Sequence, residues 1–133
     1  MSLEASLQRL TAAIPDCLAS GYLDTESGHL LGVSTTDGKL SPGLSILGGA
    51  ATDLLQTATV SLIETLFTTA RGVDAGDVAH FQEVVVLSGD SLHIFMRTSQ
   101  RPNRVACFLC RKGANIGLVL AKARLGLDVM AAA

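Results

Sequence analysis

Residues 41–71 constrain the fold of this chain more than any other stretch, because their length and pattern predict one long helix. Ser41 and Pro42 are typical of a helix start, where a capping hydroxyl precedes a proline whose fixed φ suits the first turn. Gly72 is typical of a helix end, and the cation of Arg71 is favourable just before it. A helix of ~30 residues is about 45 Å long, whereas a domain of this size has a radius of gyration of about 14 Å. We therefore expect the helix to cross the whole domain.

Two apolar stripes run along this predicted helix. The first stripe, which we expect to face the domain's own core, consists of Leu44, Leu47, Ala51, Leu55, Ala58, Leu62 and Leu66. The second stripe lies on another side and consists of Gly49, Gln56, Val60, Ile63 and Phe67. The only charged residues from Leu44 to Ala70 are Asp53 and Glu64, too few for a helix with a face open to water. The second stripe predicts a partner surface, although burial within the domain or a threonine face that tolerates water would also account for it.

Length and composition limit the class of protein. The 133 residues suffice for one domain, which we expect to span residues 1–133, and 48% of them are hydrophobic, as in a globular chain. A net charge of −2 supplies no basic field for phosphates, so we expect no nucleic-acid partner. The absence of a signal-peptide pattern and of an apolar run of ~18 residues leads us to expect no membrane span. Three cysteines, an odd number, favour a reducing, cytoplasmic setting.

The rest of the chain predicts a helix near each end and five strands. Leu3, Leu7, Leu10 and Ile14 repeat by four, three and four positions, as in an amphipathic helix. Asn115 is a candidate N-cap for a closing helix from residue 116 to about residue 129. The strands are expected at residues 17–23 and 29–34 before the long helix, and at 81–87, 92–98 and 104–111 after it.

Two of the predicted strands are apolar on both faces. Residues 84–87 and 106–110 lack the alternation that an antiparallel sheet with one wet face requires. We therefore expect helices on both faces of the sheet, the long helix on one and the two terminal helices on the other. The predicted fold is α/β in the α+β sense: an α/β/α sandwich on an antiparallel five-stranded sheet, with the order α-β-β-α-β-β-β-α.

This order of elements resembles the Roadblock/dynein light chain family, which has a profilin-like fold. The resemblance covers residues 3–129 and includes the NIGL start of the last helix at residues 115–118. It also includes the SGD turn at residues 88–90 before the LHIF strand at residues 92–95. The pair Gly48 and Gly49 departs from a regular helix, since each glycine lowers helix propensity by roughly 1 kcal/mol.

The resemblance implies a homodimer that pairs through the long helix and the third strand, joining two five-stranded sheets into one. The interface would comprise Gly49, Gln56, Val60, Ile63, Phe67, Val84 and Val86. An unpaired valine-rich edge strand is an aggregation hazard, and a two-fold dimer would pair that edge and cover the second stripe at once. The resemblance further implies a non-catalytic module that regulates or scaffolds a small Ras-like GTPase.

No pattern in the sequence predicts catalysis, so we expect no enzyme activity, no metal and no cofactor. Cys107 and Cys110 have the spacing of a redox or metal pair, but residues three apart in a strand point to opposite faces, and Cys17 stands alone. The three histidines lack metal-ligand spacing, and phosphate-loop and nucleophile-elbow motifs are absent. The alternative function is a small-ligand sensor subunit with an internal pocket. Four Phe, one Tyr and no Trp disfavour it.

Overall fold

The structure, a computed structural model, describes residues 2–27, 29–36, 62, 66, 69–70, 82–98, 101 and 103–131. Within these residues lie helices α1 (Leu3–Ala13) and α2 (Ile116–Ala131). The strands are β1 (Cys17–Asp24), β2 (Leu30–Thr35), β3 (Glu83–Leu87), β4 (Ser91–Arg97) and β5 (Arg104–Arg111). Leu62, Leu66, Thr69 and Ala70 are also helical, which agrees with the end of the predicted long helix. The remainder of that prediction lies outside the described residues.

The five strands form one antiparallel sheet in the order β2-β1-β5-β4-β3. This confirms the predicted five-stranded antiparallel sheet and the α+β class. The strand bounds differ from the predicted ones by a residue or two at their ends, and β5 begins and ends where the sequence placed it. Among the described strands, β3 pairs with β4 alone and lies at one edge of the sheet.

Local capping residues fix the two helices. The Ser2 side chain accepts a hydrogen bond from the Ala5 N–H at 3.2 Å and caps the start of α1. The predicted cap of α2 is confirmed, since the Leu118 N–H donates to Asn115 Oδ1 at 3.1 Å. After α1 the chain turns through Asp16, whose φ of 60° lies in the left-handed region that short acidic side chains tolerate.

The two helices share one face of the sheet, as predicted for the terminal pair. Leu7 and Leu10 of α1 and Val119 of α2 are buried there against side chains of the central strands. Those strand side chains are Cys17, Tyr22, Leu92, Ile94, Met96, Ala106, Phe108 and Cys110. At Gly126 a Cβ would overlap the Cδ1 of Leu10, so this glycine lets the helices approach closely.

The opposite face of the sheet has a second buried cluster, formed by Leu23, Phe95, Val105 and Cys107. The cluster confirms that the central strands are buried on both faces, because β5 contributes residues to each. Cys107 lies in this second cluster and Cys110 in the first. The two thiols therefore point to opposite faces, as their spacing in a strand predicted.

The predicted core stripe of the long helix is wrong at the two positions where it can be checked. Leu62 and Leu66 are 59% and 61% exposed, although we expected both to face the domain's own core. Helical periodicity shows which residues share a side, but it does not show which of two apolar sides the domain covers. The predicted partner stripe, formed by Gly49, Gln56, Val60, Ile63 and Phe67, lies outside the described residues.

Candidate interaction surface

The free edge of β3 presents backbone hydrogen-bonding groups. The Arg97 N–H donates to the Gln82 carbonyl at 2.8 Å, and the Ser88 N–H donates to the Ser91 carbonyl at 2.9 Å. Hydrogen-bonded and non-hydrogen-bonded pairs alternate along antiparallel strands. In the β3–β4 register, the non-hydrogen-bonded positions are therefore those of Glu83, Val85 and Leu87. Their N–H and carbonyl groups point away from β4, and no other described strand pairs with them.

The side chains of β3 alternate between the two sheet faces. Val84 and Val86, which the sequence assigned to the interface, are half-buried against the second cluster. Val85 and Leu87 point toward the face that carries α2 and are 41% and 61% exposed. The edge therefore combines outward backbone groups with exposed apolar side chains, which is the composition of a strand that another chain can pair with.

The described part of the central helix adds a second exposed apolar patch. Leu62 and Leu66 are one helical turn apart and so lie on the same side of the helix. Thr69 and Ala70, the other described residues there, are also exposed. We use the name candidate interaction surface for these two exposed patches, the leucines of the helix and the β3 edge: Leu62, Leu66, Glu83, Val85 and Leu87.

The carboxylate of Glu83 at this edge is paired with a cation from α2. Arg124 of α2 donates from Nε to Glu83 Oε2 at 2.7 Å and from Nη2 to Glu83 Oε1 at 2.6 Å. Hydrogen bonding from the guanidinium holds the pKa of the Glu83 carboxyl below its ordinary value of 4.5. Sequence reasoning missed this pair, because the two residues are 41 positions apart and neither lies in a local charge pattern.

The hairpin between β3 and β4 carries a polar cluster that resembles a catalytic pair only in composition. Ser91 Oγ lies 2.8 Å from His93 Nε2 and 2.7 Å from Ser88 Oγ, while the Ser88 hydroxyl donates to Asp90 Oδ1 at 3.2 Å. Ser88 and Asp90 are exposed at the turn. These bonds close the turn, in keeping with the ordinary role of Ser and Asp there.

Two cavities lined by described residues offer little to a small ligand. One lies beside Ser20, Phe95 and Phe108 and has a volume of about 10 Å³, the room of a single water. An open groove of about 280 Å³ between α1 and α2 is lined by Ser6, Arg9, Leu10, Ala13, Lys122, Leu125 and Gly126. It is apolar with two cations at its rim, and it lacks the convergent polar groups that orient a small ligand.

Among the described residues, neither a metal-binding cluster nor a membrane-spanning helix is found. No group of three or more His, Cys, Asp or Glu side chains there is placed to hold a metal ion. None of the described helices combines the length and the apolar character that a membrane crossing requires.

Comparison with known proteins relates this geometry to solved structures. No family model and no curated protein sequence matches the chain. The structure of Myxococcus xanthus MglB matches with a TM-score of 0.66 at 15% identity, over 98% of this chain and 92% of that one. A Roadblock/LC7 domain from Streptomyces avermitilis matches with a TM-score of 0.64 at 17% identity, over 97% and 94%. A structure described as MglB with tetrameric arrangement matches with a TM-score of 0.69 at 12% identity, over 98% and 85%.

Proposed function

From the Roadblock/LC7 fold of this chain, we propose that it is a homodimeric, non-catalytic interaction module that regulates or scaffolds a small Ras-like GTPase. The open edge of β3 is the observation that supports the first half of this proposal, the homodimer. The second half, a GTPase partner, is implied by the resemblance of the element order to the Roadblock/dynein light chain family. The fold likeness to MglB is consistent with it.

The edge geometry favours a second copy of the chain as the first occupant. A two-fold axis at Val85 would place it opposite its own counterpart and Glu83 opposite Leu87 of the partner subunit. Every outward N–H of β3 then meets an outward carbonyl, each pair exchanging two hydrogen bonds. An axis at Val84 or Val86 would pair only two of the three outward positions within β3, so Val85 is the preferred centre.

The ion pair between Arg124 and Glu83 makes this pairing electrostatically acceptable. A two-fold axis brings the two β3 strands together, and unpaired Glu83 carboxylates would add two like charges near the seam. Because each Glu83 is already held by Arg124 of its own chain, the seam carries ion pairs in place of free charges. The pairing therefore needs no charged partner from the other subunit.

The exposed leucines of the central helix supply the apolar part of the same interface. Burying a leucine that is otherwise exposed stabilises an assembly by about 1.5–3 kcal/mol at most. Leu62 and Leu66 are each more than half exposed, so their burial would contribute a substantial share of the association free energy. The interface residues Gly49, Gln56, Val60, Ile63, Phe67, Val84 and Val86 remain predictions.

Two measurements test the proposal in its two parts. Light scattering on the purified chain should give the mass of a dimer, and Leu66→Asp should give a folded monomer because this side chain is exposed in the isolated chain. Immobilised protein should then retain a Ras-like GTPase from an extract of its own source in one nucleotide state, GTP or GDP, as identified by mass spectrometry. A monomeric wild type would refute the dimer, and retention of no GTPase in either state would refute the regulatory role.

A further inference from the structure

Two cysteines that are far apart in sequence meet in the sheet. Cys17 opens β1 and pairs in register with Cys110, near the end of β5. The Arg111 N–H donates to the Asp16 carbonyl at 3.0 Å, so the neighbouring rung is hydrogen-bonded. By alternation, the rung that joins Cys17 to Cys110 is a non-hydrogen-bonded pair, which in a regular antiparallel sheet has Cα atoms about 4.5 Å apart. The register of β1 against β5 shifts only after this rung, between Cys17 and Ala19. That separation lies within the range of about 4.4–6.8 Å that a disulfide spans.

The two thiols also point to the same side of the sheet. Both belong to the cluster beneath α1 and α2, whereas Cys107 belongs to the cluster on the opposite face. Cys17 and Cys110 are buried, and the Cys17 Sγ lies 3.2 Å from the Ala19 carbonyl oxygen, a second acceptor for its proton. The pair lies at the end of both strands, next to the Asp16 turn, where local opening gives small molecules access more readily than at the centre of a sheet.

The environment makes the two thiols unequal. Hydrogen bonding from Cys17 lowers the pKa of the Cys110 thiol, and the same contact, together with burial, raises the pKa of Cys17. The contact therefore favours ionisation of Cys110 over ionisation of Cys17. A thiolate next to a thiol is the arrangement in which one sulfur attacks an oxidant and the other resolves the product.

We propose that Cys17 and Cys110 form a dithiol site that a small hydroperoxide oxidises to an intramolecular disulfide. The Cys110 thiolate attacks one oxygen of hydrogen peroxide, the O–O bond breaks, and the hydroxide that leaves takes up a proton to become water. The Cys17 sulfur then attacks the resulting sulfenic acid, the S–O bond breaks, and a second water carries away the Cys17 proton. In sum, two thiols lose two electrons and two protons, and one peroxide becomes two waters.

The bridge would join the points at which the two terminal helices meet the sheet. Cys17 follows α1 and Cys110 precedes α2, so the disulfide would close a loop of roughly 90 residues, a length for which the constraint on the unfolded chain is large. We expect the melting temperature to rise by about 10 °C on oxidation. The site joins the central strands β1 and β5, away from the β3 edge, so oxidation should leave the oligomeric state unchanged.

Oxidation followed by thiol counting tests the site. Wild-type protein is treated with hydrogen peroxide, denatured, and alkylated with a maleimide before intact-mass measurement. We expect loss of two of the three thiols, a mass lower by two hydrogens before alkylation, and recovery with dithiothreitol. Cys107→Ser should lose both remaining thiols, whereas Cys17→Ser should stop at a Cys110 sulfenic acid that dimedone labels. A disulfide that includes Cys107, or one that links two chains, would overturn the assignment.

A second probe measures the proximity of the thiols without any oxidant. Phenylarsine oxide binds two neighbouring thiols through one arsenic atom, so one equivalent should protect Cys17 and Cys110 from alkylation in the wild type and in Cys107→Ser. Cys17→Ser and Cys110→Ser should show no such protection. Failure of both peroxide and the arsenical to engage the pair in wild-type protein would refute the site. That failure would leave the proposed dimer untouched, because the dimer is measured by mass.

Discussion

Arg124 and Glu83 form a two-point ion pair that joins helix α2 to the edge strand β3, with donor–acceptor distances of 2.7 and 2.6 Å. The fork geometry of a guanidinium matches a carboxylate closely, so the pair orients both side chains more firmly than a single contact would. Both side chains remain partly open to solvent, at 56% exposure for Arg124 and 30% for Glu83. Its main effect is therefore on the position and charge of the edge strand, because exposed ion pairs contribute little to stability.

Glu83→Gln should slightly lower the free energy of unfolding at neutral pH. It should also remove the part of that free energy that depends on the ionisation of Glu83. The Glu83 pKa is depressed in the folded chain, so its contribution is fully present above the ordinary value of 4.5 and is lost as the pH falls through the folded pKa. Urea midpoints of wild type and Glu83→Gln should therefore differ at pH 7 and converge as the pH falls below the depressed pKa of Glu83. A difference that grows as the pH falls would contradict the assignment. High salt should shrink the pH 7 difference, since the pair is exposed.

Gly126→Ala should destabilise the fold by about 1–2 kcal/mol, because the added methyl meets Leu10 in the buried contact between the two helices. The gain in helix propensity from Gly to Ala, roughly 1 kcal/mol, offsets only part of the cost. Gly117→Ala on the same helix is the matched control: its methyl would have Asn115 Oδ1 at 3.5 Å as nearest neighbour, so it should be neutral or stabilising. Chemical denaturation measures both, and equal effects would contradict the close approach at Gly126.

Thr11 and Ser20 should show coupled effects on stability. Their hydroxyl oxygens are 2.6 Å apart in the buried contact between α1 and β1, so one hydroxyl donates to the other. The Leu7 carbonyl is within reach of both, at 2.7 Å from Thr11 Oγ1 and 3.3 Å from Ser20 Oγ, and accepts from the hydroxyl whose proton is free. Thr11→Val or Ser20→Ala alone should cost about 1 kcal/mol, because the remaining hydroxyl keeps the Leu7 carbonyl as its partner. In a double-mutant cycle the coupling energy should exceed about 0.5 kcal/mol. Strictly additive effects would show that the hydroxyls act separately.

Much of the fold could be predicted because its signals are local. The four-three-four repeat ending at Ile14, the Asn115 cap and the turn at Ser88 each depend on a few neighbouring residues. These signals located α1, α2 and the hairpin between β3 and β4 closely. The apolar run at residues 106–110 predicted a sheet buried on both faces, which the central strands confirm. The resemblance to the Roadblock/dynein light chain family implied an edge position for the third strand, and β3 lies at an edge of the sheet.

The contacts that the sequence did not reveal are those between distant segments. The sequence offers no partner for Cys17 within its own segment, but the pairing of β1 with β5 places it opposite Cys110. The Arg124–Glu83 pair likewise depends on how α2 lies over β3. The prediction that the stripe containing Leu62 and Leu66 faces the core is wrong. Both stripes of the helix are apolar, and periodicity gives no means of deciding which of them the domain buries. In each case the side chain could lie in more than one environment, and the packing of distant segments decides which one it occupies.

Val85→Pro should separate folding from self-association. The Val85 N–H points away from β4, so proline removes no hydrogen bond within the chain and φ near −65° is tolerated at a sheet edge. The same change removes the central donor of the proposed strand pairing and places a ring in its path. We expect a folded protein whose mass by light scattering is that of a monomer.

Val86→Pro is the matched control, because the Val86 N–H lies on the side that bonds to β4, opposite His93. Proline there leaves a carbonyl of β4 without its donor and should cost about 1–3 kcal/mol of folding stability. The two variants differ by one position along the strand and should therefore fail in different ways, one in association and one in folding. A dimeric, fully stable Val85→Pro would show that association does not use this edge, whereas equal destabilisation of both would show that the outward direction of Val85 was assigned incorrectly.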